Sequence, residues 1–198
     1  MTMGWPTIVR VCLANAAIGG MAALPVNLFN RLMTVELALP ALLPGLLVAL
    51  HYAVQLTRPV WGQPSMTPSG HRSDAKVGRT PFILGGIALC AVSLVTAAWA
   101  IHVAATNLTL AFALWFAAYI GLGLGIGAAG TSVLALLATV TEGRGKGGAA
   151  TVAWRFLIAG AIVTSIGTGA ALEPYSAPRL VAVVACVGVI AFLLCIIA

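Results

Sequence analysis

Charge is scarce in this sequence, so each ionisable group inside an apolar run asks for a reason. His51 and Gln55 stand four residues apart in LPALLPGLLVALHYAVQL, and Arg58 follows two residues after that run. Residues four apart share one face of a helix. A neutral imidazole there can ligate a metal or hydrogen-bond a neighbouring helix. The sequence leaves both open. Asn27, Asn30 and Arg31 close the preceding apolar run, and Glu36 follows. Asn27 and Arg31 again share a face, suited to a polar head group or another subunit. Arg31 and Glu36 can equally reach out to water at a membrane interface. Arg155, beside Trp154, lies about two turns inside a later run. It can reach back to the surface, pair with Asp74 or Glu142, or line a groove. His102 closes its run and is expected at an interface.

The densest charge is in GHRSDAKVGRTP, residues 70–81, which holds Arg72, Asp74, Lys76 and Arg79 beside His71. The glycines of GLGLGIGAAG, residues 121–130, contain GxGxxG as Gly125, Gly127 and Gly130. A dinucleotide site needs a preceding strand and an acid about 20 residues on; this stretch lies in an apolar run with no such acid. The same glycines read as two small-xxx-small pairs, Gly121 with Gly125 and Gly123 with Gly127, a spacing that lets helices approach closely. GRGKGG, residues 143–148, lacks the GK[ST] of a phosphate loop. No Ser–His–Asp set, carboxylate pair or metal-ligand cluster appears, so an enzyme is not expected. Cys12, Cys90, Cys186 and Cys195 all lie in apolar runs without a CxxC pair, and are expected as buried free thiols.

These residues need elements to hold them. The chain is 61% hydrophobic and 7% charged, against about 25% charged in soluble domains. Its mean hydropathy is +1.08. Lipid is the solvent that fits, and a helix needs about 20 apolar residues to cross it. The runs predict six spans in one bundle: 8–36, 39–57, 81–101, 108–140, 149–172 and 180–198. A cytoplasmic loop over 58–80 joins the second and third. Pro59, Pro64 and Pro68 are expected to keep that loop non-helical, and Pro81 to sit in the first turn of the third span. No cleavable signal peptide is expected. The net charge of +6 does not indicate nucleic acid, because the bases flank apolar runs and form no stripe with aromatics. Arg10, the bases of 58–80, and Arg144 with Lys146 gather on alternate loops, while Arg31 and Arg179 fall on the others. The excess of bases marks the cytoplasmic side, so both termini are expected there.

The charged stretch resembles the loop between the second and third spans of the major facilitator superfamily, with Gly70, Asp74, Gly78 and Arg79 at the signature positions. Ala75 replaces a base, and the second glycine falls one position late. The resemblance implies a gate clasp in which the carboxylate accepts from backbone N–H groups and pairs with an arginine. FNRLMTVELALPALLPGLLVALHYAVQLTRPVWG (29–62), RTPFILGG (79–86), ATVAWRFLIAGAIVTSIGTGAALEPYSAPRL (150–180) and LVAVVACVGVIAFLL (180–194) resemble the PucC family, a branch of that superfamily. The resemblance implies an all-α integral membrane fold of six transmembrane helices, like one half of the twelve-span superfamily fold. It implies a bacterial photosynthetic membrane. It also implies a role in light-harvesting complex assembly, with light-harvesting or reaction-centre polypeptides as partners and bacteriochlorophyll as a possible cofactor or cargo, for which His51 is the candidate ligand. Asn27, Arg31, Glu36, Gln55 and Arg155 are candidate contacts to substrate or partner. Half of a secondary transporter, completed by a second six-helix half or a copy of itself, is the alternative; a purely structural subunit is a third.

Overall fold

The computed structural model describes the backbone of residues 4–62, 72–141 and 145–198, and their side chains except at 61–62, 72–77, 140 and 145–146. Every regular element among them is helical. The first helix runs Trp5–Val35 as α1 (Trp5–Ala23), a π-helical segment (Leu24–Phe29) and α2 (Asn30–Val35). Then come α3 (Leu42–Val54), a 3-10 turn (Gln55–Thr57) and α4 (Arg58–Gly62). The remaining helices are α5 (Arg72–Ala104), α6 (Leu108–Val140), α7 (Gly145–Ala171) and α8 (Ala177–Ile197).

Among the described residues, five helical segments are long and apolar enough to cross a membrane: Trp5–Val35, Gly78–Ala104, Leu108–Thr139, Gly147–Ala171 and Ala177–Ile197. The expected second span, 39–57, is not among these five. With 13 residues, α3 is about 20 Å long at 1.5 Å per residue, short of the ~30 Å hydrocarbon core. Among the described residues, helical structure continues past it through the 3-10 turn into α4.

The expected loop over 58–80 is also corrected. Pro59 occupies the second position of α4, where its missing N–H breaks no helical bond. At the other end α5 is already helical at Arg72, and Pro81 lies inside it. Arg, Ala and Lys are good helix formers, so the polar stretch extends the helix beyond its apolar part. Proline's fixed φ suits a helix, and one backbone bond is lost. Pro64 and Pro68 lie outside the described residues.

Local chemistry sets the ends. The side chain of Asn107 caps α6 by accepting from the Leu110 N–H at 3.0 Å, and Ser176 caps α8 by accepting from the Arg179 N–H at 3.4 Å. Arg179 Nη1 donates to the carbonyls of Glu173 and Pro174, both at 3.1 Å. Arg10 donates from Nη2 to the Ile197 carbonyl at 2.8 Å, placing a base on the last carbonyls of α8, where the helix dipole favours one.

The bundle is built on two close helix crossings. In one, α5 runs antiparallel to α6: a Cβ on Gly86 would sit 2.6 Å from the Gly125 carbonyl, and a Cβ on Gly125 would sit 2.6 Å from both the Gly86 carbonyl and Cys90 Sγ. Trp115, fully buried, donates from Nε1 to the Ala97 carbonyl at 3.1 Å. In the other, α1 meets α7 backbone to backbone. A Cβ on Gly19 would strike the Leu157 carbonyl, and one on Gly160 would strike that of Ala16. Cys12, Cys90 and Cys195 are buried free thiols. Cys186 departs from the expectation and is exposed, because α8 leaves much of its surface outside the core.

Candidate functional site

The first polar group is a chain along α3 and the turn after it. His51 is 1% exposed and Gln55 8%. The Gln55 amide nitrogen lies 2.7 Å from His51 Nε2, and the Gln55 oxygen accepts from Arg58 Nη2. A guanidinium can only donate, so Arg58 fixes the amide with its oxygen outward. The NH2 group then donates to Nε2, and the ring carries its proton on Nδ1. That nitrogen is buried without a hydrogen-bond partner among the described residues. The backbone here lies against α6: a Cβ on Gly123 would come within 2.7 Å of the His51 carbonyl and of Val54 Cβ. The fit to a pigment magnesium is therefore poor in this arrangement. Nε2 is engaged, Nδ1 holds a proton, and helices enclose the ring; ligation would require Gln55 to swing away.

The second group sits at the π segment. A π turn widens the helix and is common at functional sites. Here Pro25 supplies no N–H, and its carbonyl accepts from the buried Tyr119 hydroxyl of α6 at 3.4 Å. Asn27, exposed, donates from Nδ2 to Ser165 Oγ of α7 at 3.2 Å. Arg31, one turn on, is exposed, as is Glu36 beyond it. Burial and the negative charge of Glu36 raise the Tyr175 phenol above its ordinary value, so Glu36 lies close enough to act on the α7–α8 connection. Arg155 is exposed on α7; Asp74 and Glu142, its expected pairing options, have side chains outside the described residues.

Of the expected gate clasp, Gly70 lies outside the described residues. Asp74, Gly78 and Arg79 belong to helix α5 rather than to a loop. Arg79 is 7% exposed. Gly121 and Gly125 face α5 and Gly123 faces α3; Gly127 is buried. Sequence reasoning missed Gly19, Gly20 and Gly160, which form the α1–α7 crossing, and Ser165. The adjacent Gly19–Gly20 pair in an apolar run was the available signal.

Between α1, α7 and α8 opens a cleft of about 690 Å³, lined by Ala16, Gly20, Gly160, Val163, Cys186 and Val187 among others. Thr168, also on its wall, spends its hydroxyl on the Thr164 carbonyl at 2.7 Å. The cleft is therefore mostly a hydrocarbon surface, with the Cys186 thiol and the Thr164 and Thr168 hydroxyls as its polar groups. Among the described residues, no group of three His, Cys, Asp or Glu side chains converges to hold a metal.

Residues 28–198 match the family described as PUCC protein. The chain belongs to the PucC family. It is also 44% identical over 187 residues to a protein of Rhodobacter capsulatus named bacteriochlorophyll synthase 44.5 kDa chain. That alignment covers 94% of this chain and 42% of the relative, so the chain spans about two fifths of the relative's length. No solved structure matches this PucC-family chain.

Proposed function

We propose that this PucC-family chain is an integral membrane subunit that associates with bacterial light-harvesting or reaction-centre complexes and assists their assembly. The observation that carries the reading is the 44% identity to a chain named for bacteriochlorophyll synthase, joined to the family match over residues 28–198. The shape of the molecule supports it. Ile158, Ile162, Val163 and Ile166 of α7 are each more than half exposed, and the apolar cleft lies beside them. Such a face can receive the transmembrane helix of a partner polypeptide or the hydrocarbon tail of a pigment. Six membrane helices, with α3 and α4 forming the second, would make up one half of a major facilitator fold with both termini cytoplasmic. The role is that of a carrier or docking subunit rather than an enzyme in its own right, although its relative bears the name of a synthase chain.

The experiment is gentle solubilisation of the native membrane, capture of this chain, and a record of absorption spectrum and co-purifying proteins. Antenna or reaction-centre polypeptides in fixed ratio are expected. Bacteriochlorophyll bands without those polypeptides would make the chain a pigment carrier, and His51 and Gln55 the residues to change. Neither partner nor pigment would sink the reading. A second reading, half of a secondary transporter for an amphipathic solute, is favoured by one observation: Asn27 and Arg31 are polar groups on an exposed surface of a membrane helix, where lipid is a costly neighbour. Uptake by proteoliposomes, lost in Arg31→Gln, would select it.

A further inference from the structure

The first membrane helix changes register once along its length. A π turn closes its hydrogen bonds one residue further back than an α turn, so the Leu24–Phe29 segment holds one residue more than an α-helix needs for the same rise. Everything after it, α2 included, therefore sits one place back on the helical lattice. Pro25 explains why the turn widens here. In an α turn its ring would press on the carbonyl four residues before it, that of Met21. Two side-chain bonds brace the widened turn from other helices. The buried Tyr119 hydroxyl of α6 donates to the Pro25 carbonyl at 3.4 Å, and Asn27 Nδ2 donates to Ser165 Oγ of α7 at 3.2 Å.

The two sides of the segment are held unequally. Upstream, Gly19 and Gly160 lock α1 against α7 backbone to backbone. Downstream, α2 has only six residues and packs on α3. It leads into a connection where Ala38 has a φ of 49°, a left-handed conformation that suits glycine and strains alanine. The short helix thus lies between a widened turn and a strained residue, and one motion acts on both. If Leu24–Phe29 tightens to an α turn, its extra residue passes down the helix into the connection, and Ala38 is free to leave its conformation. Helix α2 then turns by about 100° and advances by about 1.5 Å. Each of its residues takes the place its successor holds now. Asn30 takes the exposed place of Arg31, Arg31 the buried place of Leu32, Leu32 the buried place of Met33, and Met33 the half-buried place of Thr34.

We propose that Leu24–Phe29 is a register switch, held in its π state by the Asn27–Ser165 bond, that turns Arg31 from the exposed surface toward the core when the bond is released. The π state is the resting one, because Arg31 in the place of Leu32 would lose water and keep its charge. Ser165 is half-buried on the helix whose Ile162 and Ile166 are exposed. A membrane partner seated on α7 that takes the Ser165 hydroxyl therefore competes directly with Asn27. Occupancy of α7 and presentation of Arg31 are then linked through one equilibrium. The switch itself does not depend on the function proposed above.

The test is the rate of maleimide labelling of introduced cysteines in the purified protein in a non-ionic detergent. A Cys186→Ala background removes the exposed native thiol and leaves the three buried ones. Met33→Cys is buried in the π register and half-buried in the other, so its labelling rate follows the population of the switched state. Leu32→Cys is buried in both. Asn27→Ala removes one hydrogen bond and is expected to raise the Met33→Cys rate about fivefold. Ser165→Ala should do the same, with Leu32→Cys protected in each. Deleting Val26 takes out the extra residue and leaves α2 where it stands. The Met33→Cys rate then falls below that of the parent and no longer answers to Ser165→Ala. The proposal is overturned if Asn27→Ala and Ser165→Ala leave the Met33→Cys rate unchanged. It is equally overturned if Leu32→Cys is labelled in step with Met33→Cys, which is local unfolding rather than a turn, or if the chain without Val26 does not fold.

Discussion

Helices α6 and α7 have similar composition and opposite surroundings. Their most apolar windows have mean hydropathies of 1.9 and 1.6, yet 61% of the α6 window is buried inside the molecule and 11% of the α7 window. Glycines explain α6. Gly121 and Gly125 lie against α5, Gly123 lies against α3, and Trp115 anchors one end of the seam on the Ala97 carbonyl. In α7, Gly160 is spent on α1 while Gly167 and Gly169 would meet nothing if a Cβ were added. One helix is a core element that happens to be in a membrane. The other is held along one line and presents the rest of its surface outward. Hydropathy measures what a helix can leave water for, and does not say whether the replacement is protein or lipid.

The sharpest way to break that contrast is at the line that holds α7. Gly160→Ala places a methyl group against the Ala16 carbonyl, a backbone atom that cannot turn aside. We expect a loss of about 3 kcal/mol, read as a lower unfolding midpoint and loss of folded yield in detergent. An unchanged midpoint would mean that α7 is not packed on α1 as described. The α5–α6 seam has its own probe in Trp115→Phe. It removes the indole N–H that bonds the Ala97 carbonyl and leaves a smaller ring in a fully buried site, for an expected cost of about 2 kcal/mol. On the outward side of α7 the sign should reverse. Gly167→Ala meets nothing within 4 Å, and replacing glycine in a helix stabilises by up to about 1 kcal/mol. A destabilised Gly167→Ala variant would show that this side is covered.

The smallest effect concerns Tyr175, at the connection that leads from α7 to α8. Burial and the charge of Glu36 raise its phenol. A raised value in the fold means that the folded state holds its proton longer than the unfolded chain, whose phenol ionises near pH 10. This contribution to stability is whole below that pH and is lost as pH rises through the folded value. Glu36→Gln should move the phenolate absorbance titration to lower pH and lessen the loss of stability in alkali. A titration unmoved by Glu36→Gln would separate the two residues.

Much of the architecture was legible in the residues. Long apolar runs with turn chemistry between them forced membrane helices, because backbone polar groups in lipid must be satisfied within the segment. The wording of 29–62 and 150–194 pointed to the PucC family, and comparison with known proteins gave the same family. The limits of each helix were less legible. Pro81 was read as a start and lies inside α5, since one proline can be carried where its neighbours favour a helix. The shortness of α3 was hidden, because the apolar run continues through a 3-10 turn.

The sequence by itself determined that this chain is helical, membrane-embedded and of the PucC family, since composition and local wording carry those properties without reference to distant contacts. The tertiary structure decided which glycines touch. It decided that Gln55 holds His51 Nε2 and that Asn27 meets Ser165. Each of these depends on the rotation and antiparallel register of packed helices, and those are set by long-range contact between residues that no local pattern pairs.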